Sequence, residues 1–346
     1  MIRKNKKYVF IGIILLILIS ILILVLINKS TKEKEVIKYE KEEVLLEIDE
    51  ISSWIVYWDL DVDSEIKELD NKLNSISYFA ANFNENNQLF VSEELIDYYV
   101  STKKCQFNKY ITIVNDVIYN DGGSSLKDKS VLKNLLEDEV TRKKHVNEII
   151  DLAKKYEFDG IELDYEQIKG DMQLWNEYLL FINELYIEAN LNGLSLRILL
   201  EPNTPIDELN FIEGPTYIMM CYNLYGSFSE PGEKTNKSFI EDLIKKMNKI
   251  NGSKEFAIAT GGFDWDENNK VMSVTEIEVN KILKENKIEI KRDFNSQYLY
   301  FNYLDKNNTK HEVWYADKIT LKYLYETIIG YGYKVNLWRL GGNQFN

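Results

Sequence analysis

Four carboxylates fall within eight consecutive positions of this chain, in the run Phe158-Asp159-Gly160-Ile161-Glu162-Leu163-Asp164-Tyr165-Glu166. In an extended strand side chains alternate faces, so Glu162, Asp164 and Glu166 share one surface while Ile161, Leu163 and Tyr165 share the other. Carboxylates two residues apart on a strand lie about 7 Å from one another and repel. Folding gains nothing from this. The arrangement suits proton chemistry, in which one carboxyl of the set is kept protonated by its neighbours and acts as a general acid. A solvated strand face is the alternative. The apolar opposite face, the close approach allowed by Gly160 and the helix-like segments on both sides favour the chemical reading.

Placing such a strand requires a scaffold, and the flanking sequence supplies one. Residues 53–58, 75–80 and 110–114 read as three strands before the carboxylate run, and residues 194–200, 217–222, 256–259 and 334–338 as four after it. Helix-period stretches such as 141–156 and 174–190 lie between several of them. Strands alternating with helices predict an α/β fold with a parallel sheet, and eight such units make a (β/α)8 TIM barrel. The segment from about 263 to 331 is too long for a loop and one helix, so a small α+β insertion is expected between strands 7 and 8. Within it residues 297–303 alternate like a strand, Asn307-Asn308 signals a turn, and residues 310–315 can return antiparallel.

The run Asp159-Gly160-Ile161-Glu162-Leu163-Asp164-Tyr165-Glu166 resembles the Asp-Gly-x-Asp-x-Asp-x-Glu motif at the end of the fourth barrel strand of the family 18 glycoside hydrolases. It departs from that motif at Glu162, where the family usually has Asp. Met220-Cys221-Tyr222-Asn223 resembles the family's sixth-strand signature, and Trp338 resembles the tryptophan that floors its sugar subsite. Residues 311–317 and 337–342 look like the subgroup of bacterial spore-cortex and wall-associated members. The resemblance implies that Glu166 is the general acid, that Asp164 holds the substrate acetamido N–H, and that Tyr222 orients the acetamido oxygen. It assigns supporting places to Glu162, behind Asp164, to Asp159, near the strand's start, and to Asn223. Tyr57 and Trp58, at the end of the first strand, join Trp338 as expected substrate contacts. In this family the 2-acetamido oxygen, not an enzyme carboxylate, attacks the anomeric carbon. The implied substrate is a polysaccharide containing N-acetylglucosamine, either peptidoglycan or chitin oligomers, cleaved with retention of configuration and without a cofactor.

Location is read from the N-terminus. Residues 8–28 begin with an almost unbroken apolar run of the length that crosses a bilayer, preceded by Arg3, Lys4, Lys6 and Lys7. Leu26-Ile27-Asn28-Lys29 offers no small-residue cleavage site. The expectation is an uncleaved, single-pass membrane anchor with residues 1–7 as a cytoplasmic basic tail, a charged stalk over 29–50 and an extracytoplasmic barrel over 51–346.

Composition narrows the function classes further. Net charge is −14, and the first 30 residues carry basic groups but no acidic ones, so the remainder is strongly acidic and a poor partner for nucleic acid. With only His145 and His311, a histidine-based zinc site or a Ser-His-Asp triad is not expected, and no metal site is assigned. Cys105 and Cys221 do not suggest a disulfide framework. Two other classes stay open: a catalytically weak or inactive sugar-binding relative, and a scaffold protein of the cell envelope.

Overall fold

The computed structural model describes residues 36–38, 48–286 and 288–345. The expected membrane span at residues 8–28 lies outside the described residues, and among the described residues no helix is long and apolar enough to cross a membrane. Within the expected stalk, Val36–Lys38 forms a short strand.

Eight parallel strands close the barrel: β1 (Ile51–Val56), β2 (Leu73–Asn84), β3 (Asn108–Ile118), β4 (Gly160–Asp164), β5 (Ser195–Leu200), β6 (Thr216–Met220), β7 (Lys254–Ala259) and β8 (Lys334–Trp338). Each pairs with the next, and β8 pairs back onto β1. These are the expected strands, in the expected order.

Helices α1 (Asp63–Leu69), α2 (Glu93–Thr102), α3 (Lys129–Leu136), α4 (Glu139–Tyr156), α5 (Met172–Leu191) and α6 (Lys237–Met247) cover the outside. The crossover from β5 to β6 holds only a short 3-10 turn, Ile206–Glu208. Pro202, Pro205 and Pro215 all fall in that segment, and each removes a backbone donor that a helix interior needs.

Two helices fix the carboxylate strand. Asp138 accepts from the backbone N–H groups of Val140 and Thr141, closing a capping box at the start of α4. That helix ends at Glu157, whose φ of 63° turns the chain left-handed and delivers Phe158 to β4. Beyond the strand, Asp171 caps α5 by accepting from Leu174 N–H. Outward residues Ile161, Leu163 and Tyr165 join the main core between sheet and helices, as the alternation predicts.

The barrel interior carries a separate apolar cluster, which includes Trp54, Leu199, Ile218, Met220 and Tyr222. Gly160 begins the inward-facing row of β4. A Cβ there would stand 2.3 Å from the Tyr110 ring and 2.8 Å from the Ser195 carbonyl, so only glycine fits.

The insertion is built around a second, antiparallel sheet made of Gly262–Asp266, Val271–Val274, Lys291–Asp293, Leu299–Leu304 and Lys310–Tyr315, with helix α7 (Glu276–Glu285) beside it. Val36–Lys38 adds to its edge by pairing with Lys291–Asp293. Leu299–Leu304 and Lys310–Tyr315 form the expected antiparallel pair. The sheet ends at Tyr315, and α8 (Lys318–Ile329) belongs to the barrel, packing against β7 and β8. The insertion is therefore shorter than the 263–331 segment expected from length alone.

Candidate active site

Strand register assembles the floor of the site. Thr112 on β3 and Arg197 on β5 lie opposite Glu162, while Trp54 on β1 lies opposite Ser77 on β2. All four side chains converge on the Glu162 carboxylate. Trp54 Nε1 donates to it at 2.5 Å, Thr112 Oγ1 at 2.8 Å and Ser77 Oγ at 3.0 Å, with Arg197 Nη1 3.9 Å away. Burial raises the Glu162 carboxyl above the usual range, and Arg197 and the three donors pull it back. Glu162, expected as a supporting residue behind Asp164, is thus held by side chains of four strands, β1, β2, β3 and β5.

Asp164 stands one pleat above. Its Oδ1 is buried with no hydrogen-bond partner among the described residues. Burial first, then the neighbouring Glu166, raises its carboxyl well above the ordinary value, against Lys127. Glu166 follows the strand end. Its backbone N–H donates to Asn115 Oδ1 at 2.9 Å, and Asn115 Nδ2 donates back to its carbonyl at 3.2 Å, so a fully buried asparagine of β3 sets its position. Lys127 Nζ lies 2.5 Å from Glu166 Oε2. Burial still raises the Glu166 carboxyl; Lys127 opposes this, while Glu201 and Asp116 add to it.

Tyr222, just beyond β6, is buried, and burial followed by the charges of Asp164, Glu166 and Glu162 pushes its hydroxyl well up. The structure thus gathers Glu162, Asp164, Glu166 and Tyr222 at one end of the barrel. Asn223 is exposed with a φ of 60° and leads the chain away. Asp159 is separated from the group. It lies at the opposite end of β4, where its Oδ2 accepts from Lys109 N–H at 2.8 Å and ties β3 to β4.

Aromatic rings form the wall. Trp338 lies 5.7 Å from Trp54 and 4.9 Å from Phe79, centroid to centroid. Phe79 in turn meets Trp58 at 5.7 Å, and Trp58 meets Tyr57 edge-on at 4.9 Å. Trp58 is 54% exposed, a large apolar ring open to a ligand. In the insertion, Tyr300 and Trp314 stack on each other at 4.4 Å and Tyr303 donates to Asp264, so these rings pack within their own sheet.

No family model matches the chain. It is 24% identical over 241 residues to the uncharacterized glycosylase YvbX of Bacillus subtilis, a match covering 65% of this chain and 67% of that protein. It is 23% identical over 227 residues to the cortical fragment-lytic enzyme of the same organism, covering 60% of this chain and 52% of the relative. The Bacillus cereus spore cortex-lytic enzyme SleL superposes with a TM-score of 0.73 at 17% identity, over 89% of this chain and 74% of that one. A class V chitinase from Pseudomonas fluorescens superposes with a TM-score of 0.71 at 16% identity, over 86% and 96%. The chain is chitinase-like. It resembles the family 18 glycosidases in the residues of β4 and in the barrel that carries them. The chitinase-like chain spans about half the length of the cortical fragment-lytic relative it matches.

Sequence reasoning missed Lys127, Asn115 and the clamp around Glu162. The signal for Thr112 and Arg197 was present, since both stand inward on predicted strands. Nothing local marks Lys127, which follows a Gly-Gly-Ser-Ser loop.

Proposed function

We propose that this family 18-like glycosidase cleaves β-1,4 bonds next to N-acetylglucosamine, with peptidoglycan as its polymer. The observation that carries the reading is the grouping of Glu166 with buried Asp164, whose Oδ1 has no hydrogen-bond partner among the described residues, and buried Tyr222, with both carboxyls raised from their ordinary values by burial. The cortex-lytic and chitinase names of its relatives support the glycan class.

In this reading a sugar rests on Trp338 with its acetamido group turned down toward Asp164. Protonated Glu166 gives its proton to the glycosidic oxygen as the bond to the anomeric carbon breaks, and later takes a proton from the incoming water. The acetamido oxygen attacks the anomeric carbon, so the intermediate is an oxazolinium ion and configuration is retained. Asp164 Oδ1, buried with no hydrogen-bond partner among the described residues, accepts from the acetamido N–H, and in its ionised form Asp164 offsets the developing positive charge. Tyr222 donates its hydroxyl to the acetamido oxygen and orients it. Clamped Glu162 keeps Trp54, and with it the Trp338 floor, in place.

Attachment to a membrane through residues 8–28, with the barrel outside the cytoplasm, belongs to the same proposal. The apolar run and its basic flank support it. A catalytically weak, sugar-binding protein is the second reading; the Lys127 pair, which favours ionised Glu166, speaks for it.

Mass analysis of products tests the reading. Incubation with purified peptidoglycan and with chitin oligomers is expected to yield new reducing ends at N-acetylglucosamine. The N-deacetylated oligomers are expected to resist cleavage. Cleavage of both forms at equal rates contradicts acetamido assistance, and binding without products favours the second reading.

A further inference from the structure

A cavity of about 630 Å³ opens between the barrel mouth and the insertion, sharing Trp58 and Trp338 with the aromatic wall. Its lining includes Lys234, which is only 9% exposed. An ammonium group has three N–H donors. Among the described residues one acceptor is within hydrogen-bond reach, the carbonyl of Thr260 at 2.9 Å, and the Phe263 ring lies 4.7 Å from Nζ. A buried cation so sparsely paired is costly. Burial and the nearby Arg339 guanidinium bring its pKa down to about 7.

The other charges of the cavity do not relieve it. Asp59 is bound to Arg339 at 2.7 Å. Glu278 is engaged in capping α7, accepting from Thr275 N–H at 2.7 Å and from its hydroxyl at 2.9 Å. Asp61 and Lys281 are exposed on the rim. The interior therefore presents one incompletely satisfied cation, Lys234, beside the Arg339–Asp59 ion pair, which is the chemistry of a site for a carboxylate.

The backbone places this cation next to the sugar floor. Thr260, whose carbonyl holds Lys234, donates its own N–H to the Trp338 carbonyl at 2.7 Å. Trp338 itself lines the cavity, so a sugar on Trp338 has the cavity as the place for its neighbour along the glycan.

We propose that this cavity is a carboxylate-recognising subsite, in which Lys234, with the paired Arg339 beside it, receives the free 3-O-lactyl carboxylate of a muramyl sugar that bears no stem peptide and is joined to the N-acetylglucosamine on Trp338. The proposal rests on the glycan reading above and adds the basis for choosing a wall polymer over chitin. A neutral chitin chain leaves the Lys234 ammonium without a counter-charge, whereas a muramyl residue with a free lactyl carboxylate supplies one.

Calorimetric titration of the full chain tests this with three probes: a muramyl-containing disaccharide with N-acetylglucosamine, the methyl ester of its lactyl group, and chitobiose. The free acid is expected to bind at least tenfold tighter than the other two. Lys234→Met is expected to erase that preference while leaving chitobiose affinity unchanged, and Lys234→Arg to keep part of it. Equal affinity for acid and ester in the unmodified chain overturns the subsite without needing any variant, as does a Lys234→Met loss common to all three. If none of the three binds, the glycan reading itself fails along with the subsite.

Discussion

Lys127 Nζ and Glu166 Oε2 stand 2.5 Å apart, so the residue assigned to donate a proton is paired with a cation. Burial raises the Glu166 carboxyl and Lys127 opposes that rise; the other charges around it, from Glu201, Asp116 and Asp164, are all negative. Removing the ammonium leaves only influences that favour the protonated acid. Lys127→Met is therefore expected to move the basic limb of kcat/KM to higher pH, while Lys127→Arg holds it near its original place. A pH–rate profile checks this, and a limb that stays put in Lys127→Met means that the pair does not govern the acid.

Asp164 links stability to pH with a definite sign. Its carboxyl in the folded chain is raised well above the ordinary value. The stability it contributes is full below the unfolded value and is lost as pH rises through the folded one. Asn cannot ionise, so Asp164→Asn is expected to melt at a higher temperature than the unmodified chain once pH exceeds the raised value, and to differ little in acid. Hydrolysis falls at the same time. Thermal melts across pH, paired with rates, test the combination; a variant less stable at every pH contradicts it.

Glu162 accepts from donors on β1, β2 and β3 at once. Glu162→Asp shortens the side chain and strands buried donors, at a cost of about 1–3 kcal/mol. The denaturant midpoint is expected to fall accordingly. Because Trp54 backs Trp338, KM is expected to rise more than kcat falls. Unchanged stability would show that the shorter acid re-forms the clamp.

Gly160 offers a steric test of the strand itself. Gly160→Ala drives a methyl into the Tyr110 ring, on whose face the Arg197 guanidinium sits 3.9 Å from the centroid. Overpacking of this kind costs about 1–3 kcal/mol. A clear drop in melting temperature is expected, and full stability would mean that Tyr110 moves aside freely.

The barrel strands were legible because burial on both faces writes short apolar runs, and β4 stood out because charges interrupt its inward row. The helix missing after β5 was legible in principle from Pro202, Pro205 and Pro215. The partners of Glu162 were not, since they depend on the register between four strands that are far apart in sequence. Lys127 was hidden for another reason. Its backbone is left-handed, with a φ of 55°, and its N–H is anchored on Asp116, so its reach to Glu166 is set by a loop and not by any periodic pattern. Asp159 and Glu166 share a motif yet serve opposite ends of the strand, one tying backbone and one lining the mouth.

The most direct test of the central claim is the rate at which the chain and its Glu166→Gln variant release new reducing ends from N-acetylglucosamine oligomers, with folding of both verified by circular dichroism. Loss of the general acid is expected to lower turnover by roughly 10²- to 10⁴-fold while substrate binding persists. A folded Glu166→Gln variant that turns over at the unmodified rate would contradict the assignment of Glu166 and the mechanism built on it.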